Sequence, residues 1–366
     1  MIYMFFERKN EMNCSRKREN NYDLLRIVSA FAVIIIHVNW FYFEKRAFDS
    51  SDNFYYFIES ILNIITRFLV PAFVMLSGAF SLHNGDNRFF VDFYKKTSYK
   101  VFLPAMFVAV LYLLADDIIA IFVHQDYVTP IKLLILGNYK NLGFLYMILG
   151  LYLLVPFVIR IKETIGNRMF KKIGYLLLLW AIFSQATSNF KCAYDIGVVF
   201  AFLSYFILGN IIYEEEKLKK ARKYQKAGLI LIMVLVITVA YLARKEGIHY
   251  WLYNPYTNFF SPMIAVYSVC MFKLFSRMTI KHTFLIPDYI FFIYLIHMGV
   301  YEIIFHLPIL PRNEFACIAL VTGLTFIISL LFAYFYKILW SFIEYKIQLK
   351  NKWYSFKIWK SDIFKS

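Results

Sequence analysis

Charge is scarce in this 366-residue chain: only 17% of its residues are Asp, Glu, Lys or Arg, while 60% are hydrophobic and 20% aromatic. A domain that folds in water carries about 25% charged residues to cover its surface, so this composition excludes a soluble globular protein. Cysteine is sparse as well. Cys14, Cys192, Cys270 and Cys317 stand singly, at spacings that make neither a disulfide framework nor a zinc site, so no metal is expected. The N-terminus has no short apolar core followed by a small-residue cleavage site, so no removable signal peptide is expected and the first span itself starts insertion. No segment between apolar runs reaches the roughly 50 residues of an independent domain, which places any chemistry in or beside a bilayer. Internal repeats and an inverted pair of Gly/Pro-broken spans are also missing, which weighs against a secondary transporter.

What the chain does contain is apolar sequence in long runs. A helix rising 1.5 Å per residue needs about 20 of them to cross a hydrocarbon core of about 30 Å. About ten runs qualify, at 24–43, 57–80, 99–123, 143–161, 173–190, 195–213, 227–243, 258–275, 288–306 and 315–340. They predict an all-α integral membrane protein, a polytopic bundle of about ten transmembrane helices. Residues 127–138 are expected to form a surface helix or a loop. Lys and Arg number 40 against 24 Asp and Glu, a surplus that would suggest nucleic acid if it clustered. It does not: 30 of the 40 lie in, or at the span ends bordering, one set of alternate connecting segments and 8 in the other, the positive-inside pattern. Both termini are therefore expected in the cytoplasm, with the lipid bilayer and not nucleic acid as the surroundings. The chain divides into a basic segment 1–22, a multi-span domain 23–343 and a basic tail 344–366. The run from Glu214 to Lys226 reads as a solvated loop.

Ionisable residues inside a span cost about 2.5–3.5 kcal/mol each on insertion scales, so each one is a functional candidate. They are Arg26, His37, Glu59, Arg67, Asp116, Asp117, His297 and Glu302. Asp116, Asp117 and Glu302 fall near span ends and read as boundary markers. Arg26 and His37 are eleven residues apart, which on a helix returns them to within about 20° of one face and separates them by about 16 Å. Nothing charged lies between them. The alternative makes Arg26 an interfacial anchor and His37 a hydrogen-bonded packing residue. Counted from the inner ends of their spans, His37 and Arg67 both lie about 20 Å up, so a histidine and an arginine can meet there. A neutral imidazole takes a proton from a hydroxyl, and a guanidinium stabilises an oxyanion. Glu59, two turns outward of Arg67, can pair with Arg67 or orient His37, and the sequence leaves both open.

Four stretches now carry a resemblance. Asp23-Leu24-Leu25-Arg26, ten residues and then His37, resembles the arginine-x10-histidine motif that opens the acyltransferase-3 family of membrane proteins. Val70-Pro71 through Leu76-Ser77-Gly78 resembles that family's ending of the second span. Tyr94-Lys95-Lys96 with Lys100-Val101-Phe102-Leu103-Pro104 resembles its basic cytoplasmic loop, and Phe292-Ile293-Tyr294-Leu295-Ile296-His297 its late tyrosine-leucine-x-histidine. Weaker echoes are Gly150-Leu151-Tyr152 to Pro156 and Tyr205-Phe206-Ile207-Leu208-Gly209.

The resemblance implies transfer of an acyl group, usually acetyl from acetyl-CoA, to a hydroxyl of a surface glycan or lipid-linked sugar at a bacterial plasma membrane. His37 would be the catalytic residue and Arg26 the other half of its motif, with Arg67 and Glu59 as charged neighbours. Lys95, Lys96, Lys100 and Ser77 would serve the CoA donor, and Tyr294 and His297 the acceptor. Two departures stand out. The basic stretch is lysine where the family commonly has arginine, which removes bidentate phosphate clamping. Asn141-Leu142-Gly143-Phe144-Leu145 stands where the family often has a His-Leu-Trp-like stretch. With no extra extracytoplasmic domain expected after the last span, the acceptor comes to the membrane core or a partner collects the acyl group. The competing readings are a polysaccharide exporter or flippase, with Arg26, Arg67 and His297 lining a polar path and no bond made, and a membrane scaffold.

Overall fold

The computed structural model describes residues 19–45, 61–84, 89–123, 143–187, 196–218, 223–245, 259–281, 286–305, 311 and 313–363, and among them it contains helices and no strand. Helix α1 spans Asn20–Lys45. Residues 61–66 are helical, the chain breaks into a turn at 67–68, and α2 runs Leu69–His83. The break has a local cause. Pro71 has no N–H to offer the carbonyl four residues back, and its ring crowds that same carbonyl, which belongs to Arg67. At the break Arg67 N–H bonds to Ile64 O at 3.3 Å, three residues back instead of four.

The next span begins as the short helix α3, Phe90–Thr97, passes through a π-helical turn at Ser98–Phe102 and continues as α4, Leu103–Val123. The wide turn precedes Pro104, which again leaves a carbonyl, that of Lys100, without its α-helical donor. This corrects the expectation of a loop up to residue 98: Lys95 and Lys96 stand on a helix continuous with the span.

Helix α5, Gly143–Thr187, contains a single non-helical residue, Gly166 (φ 75°, ψ 162°), in a region open to glycine and closed to side chains with a Cβ. The chain reverses there. Along α6, Ile196–Leu218, the first half of α5 runs parallel, with Gly150 beside Val199 and Lys162 Nζ bonded to Asn210 at 2.7 Å. The second half runs back, with Lys171 bonded to Glu215 and Gly174 beside Ile207 and Ile211. Two of the expected spans are thus the arms of one hairpin.

The remaining helices are α7 (Lys223–Lys245), α8 (Pro262–Ser276), α9 (Ile290–Phe305) and α10 (Glu314–Ile363). Helix α8 opens with Ser261 accepting the Ile264 N–H and proline at the first helical position, both favourable at a helix start. Helix α10 extends well past the expected end at 340. Six of the described helices are long and apolar enough to cross a membrane, and shorter apolar helices occupy 227–239, 262–276 and 290–305. Glu59 and the stretch 127–138 lie outside the described residues.

Helix α1 is central, touched by α2, α8, α9 and α10. The closest packing is between α2 and α6, where glycines are exchanged. A Cβ on Gly78 would sit 1.8 Å from the Phe206 carbonyl oxygen, and one on Gly209 would sit 2.0 Å from that of Met75. No residue larger than glycine fits either place without parting the helices. On the opposite side Phe31 of α1 stacks on Phe326 of α10 at 3.9 Å. Outward-facing Leu179, Phe183, Leu231, Leu235 and Phe335 are exposed, an apolar surface that suits lipid and not water.

The three glutamates expected in a solvated loop are instead the last turns of α6, each bound to a different cation. Glu214 takes Lys162 at 2.6 Å, with His83 at 3.5 Å; Glu215 takes Lys171; Glu216 takes Arg277. The neighbouring Lys217 reaches Glu19 at 3.3 Å, and the Tyr213 hydroxyl donates to Glu19 at 2.6 Å. A charged layer therefore ties α1, α2, both arms of α5, α6 and the end of α8 together at one end of the bundle.

Candidate functional site

The candidate residues separate into two levels. At the upper level the imidazoles of His37 on α1 and His297 on α9 lie 5.4 Å apart, centroid to centroid, tilted by 36°. His37 is half-buried and His297 is 2% exposed. His297 Nδ1 is 2.6 Å from the Tyr294 carbonyl oxygen one turn back. A carbonyl only accepts, so Nδ1 carries the proton and Nε2 bears the lone pair. That Nε2 is buried and has no hydrogen-bond partner among the described residues. The ring of Tyr294 adjoins His297 at 5.6 Å and is walled by Phe73 of α2 at 6.3 Å and Phe144 of α5 at 5.1 Å.

Arg67 closes this level from the broken span. It is 5% exposed, its Nε donates to Asn63 Oδ1 at 2.9 Å, and its guanidinium lies 5.9 Å from the centre of the Phe259 ring. Its charge, together with the ring of His297, acts on His37. Helical register already stacks residue 67 over buried Asn63 and Ile64, so Arg67 shares their inward face. Asn63, a neutral residue among apolar ones, carries no signal in the sequence that marks it for this contact.

The lower level is organised around Arg26, about 16 Å below His37. Its guanidinium is bonded to Asp23 on its own helix and lies 4.8 Å over the ring of Phe80. No charge lies between Arg26 and His37, and the partner of Arg26 is three residues below it. Asp23 is 2% exposed. Tyr22, Phe80, Tyr213 and Phe272 form an aromatic floor around it, with centroid distances of 5.4–5.7 Å from Tyr22. Ser77 accepts a hydrogen bond from the Tyr152 hydroxyl at 3.4 Å, and Arg26 acts electrostatically on that same tyrosine. Tyr152 belonged to one of the weak sequence echoes, and its role becomes visible only when α5 is laid against α2.

The lysines stand apart from both levels. Helix α3 is docked on α5 through Tyr94, whose hydroxyl donates to Leu153 O at 2.8 Å, and through Phe90 beneath Arg160 at 4.6 Å. Phe93 is its buried residue, against Tyr152 at 6.4 Å. Lys95, Lys96 and Lys100 are exposed. Lys95 lines an open groove with Tyr94, Ser98 and Tyr99. Asp116 and Asp117 fall within α4 and Glu302 within α9. No group of three or more potential metal ligands occurs among the described residues.

Chemically, the upper level offers a half-buried imidazole, a second imidazole with an unused lone pair and a buried cation. The lower level offers a cation above an aromatic floor at the end of the bundle where basic side chains gather. Against known proteins, residues 19–334 match a family model described as an acyltransferase domain. No curated protein and no solved structure matches.

Proposed function

Because the chain belongs to the acyltransferase-3 family, a family of membrane acyltransferases, we propose that it moves an acetyl group from acetyl-CoA to a hydroxyl of a surface glycan or lipid-linked sugar. The observation that carries this reading is the imidazole pair His37 and His297, 5.4 Å apart beside buried Arg67. In the proposed reaction the acceptor hydroxyl gives its proton to His37 as its oxygen bonds to the thioester carbonyl. The carbon–sulfur bond then breaks, and the proton passes to the departing CoA thiolate, leaving an ester and free CoA. Arg67 stabilises the oxyanion between the two steps. His37 as a transient carrier of the acyl group gives the same products in two transfers. Arg26, Ser77 and Tyr152 lie on the route a thioester arm takes from the cytoplasmic end to His37, and Tyr294 with its aromatic walls faces the acceptor.

The orientation belongs to this proposal: about ten spans with both termini inside, supported by the bias of Lys and Arg. A cysteine placed at Asn84, in a background without native cysteines, should react with an impermeant thiol reagent only from the inner face. One placed at Asn254 should react only from the outer face, and labelling of both from one side excludes the arrangement.

The test of function is release of free CoA from acetyl-CoA by native membranes that contain the acceptor. Release that depends on this chain supports transfer, whereas a flippase leaves the thioester intact. The same assay weighs the lysines. Changing Lys95, Lys96 and Lys100 together to Gln should raise the donor KM more than it lowers kcat, because contacts to the phosphates are equally present in ground and transition states. An unchanged KM removes these exposed side chains from the donor site.

A further inference from the structure

Tyr112 of α4 has no part in the reaction as drawn, yet its hydroxyl is set into the helix that carries His297. It is 7% exposed, and its hydroxyl donates to the Leu295 carbonyl at 2.9 Å and accepts from the Gly299 N–H at 3.1 Å. Those two backbone groups are the two ends of the helical i→i−4 bond that encloses His297. A side chain from a neighbouring helix thus bridges the ladder of α9 at the histidine, the kind of insertion that reshapes a helical turn. Glycine at 299 is what admits it, since a Cβ there would lie 2.5 Å from a carbon of the Tyr112 ring. The same turn directs His297 Nδ1 to the Tyr294 carbonyl and leaves Nε2 buried without a partner among the described residues, beside the ring of His37. A buried acceptor left unsatisfied calls for an explanation, and a substrate that brings its own donor is one.

We propose that Tyr112 is a positioning residue that acts through His297, fixing the turn of α9 so that the Nε2 lone pair is kept for a hydroxyl bound beside His37. The inference rests on the acyltransferase reading. It assigns His297 to the acceptor hydroxyl as a hydrogen-bond acceptor and makes the Tyr112–Gly299 contact the device that aims it.

The test uses native-host membranes lacking the chromosomal copy, supplied with matched amounts of each variant and with radiolabelled acetyl-CoA. Tyr112→Phe keeps the ring and removes the bridge. It should slow label transfer by about 10–100-fold with the acetyl-CoA KM within about twofold of wild type, since a misplacement of about 1 Å costs up to about 10²-fold. Gly299→Ala should reproduce that defect by pushing the ring out, while Gly323→Ala, where a Cβ meets nothing within 4 Å, should transfer at the wild-type rate. The deciding comparison places Tyr112→Phe in a His297→Ala background, where it should cause no further loss. A wild-type rate for Tyr112→Phe overturns the proposal, and so does a full additional loss in the double variant. An active wild type with unaffected Tyr112→Phe sinks this inference alone. A wild type that transfers no label sinks the acyltransferase reading and the inference with it.

Discussion

His37→Ala should lose acyl transfer by about 10²–10⁴-fold, the usual cost of removing a general base, while the protein still accumulates in the membrane. The expectation comes from position. His37 projects from α1, the helix that α2, α8, α9 and α10 surround, and it meets a second imidazole and the field of Arg67. Accumulation should hold because replacing a polar side chain in a span by Ala eases insertion. His297→Ala is the comparison to make at matched protein amounts in the same membranes. Its loss should be the smaller, because in the proposed mechanism His297 contributes a hydrogen bond to the acceptor where His37 takes the proton or the acyl group. Near wild-type transfer by His37→Ala, or a deeper loss for His297→Ala, would exchange the two roles and sink the mechanism drawn here.

Arg277→Ala should cost about 3–5 kcal/mol of stability, enough to deplete the folded protein, because it strips a buried carboxylate of its counter-ion. Arg277 Nε and Nη2 each lie 2.7 Å from an oxygen of Glu216, a two-pronged pair in which the side chains are 11% and 5% exposed. The pair joins the end of α8 to the end of α6. The check is the thermal midpoint of the detergent-purified protein beside its level in membranes. Replacing both residues, as in Arg277→Met with Glu216→Leu, should recover most of the loss, since the damage lies in the charge left behind and not in the missing attraction. A single variant with a wild-type midpoint would show that Glu216 is served well enough by its other surroundings.

The helical class was legible because apolar run length answers directly to bilayer thickness. The reversal at Gly166 falls in the gap between the runs 143–161 and 173–190, whereas the break before Pro71 lies inside the run 57–80 and left no mark in run length. Less of the charged layer could be read. Glu214, Glu215 and Glu216 look solvated in one dimension because their cations arrive from residues 162, 171 and 277, and only the folded hairpin of α5 brings the first two near. In the candidate site, helical spacing set His37 and Arg26 on one face, and depth arithmetic set His37 level with Arg67. Asp23, at i−3 from Arg26, falls just outside the run 24–43, so a search for charges within spans does not reach it. Tyr112 had no signal at all: one more aromatic in a chain that is 20% aromatic is unremarked until its hydroxyl is seen in the ladder of another helix.

The paired glycines of α2 and α6 also limit how this molecule can move. Where two backbones touch with no side chains between them, sliding by even one residue would drive a Cβ of one helix into the carbonyl row of the other. Helices α2 and α6 must therefore travel as a single strut, carrying Ser77 and the glutamate layer with them. Any opening that admits a substrate falls to the elements around that strut, among them the joint at the π-turn of Ser98–Phe102, where the helix already departs from its regular winding.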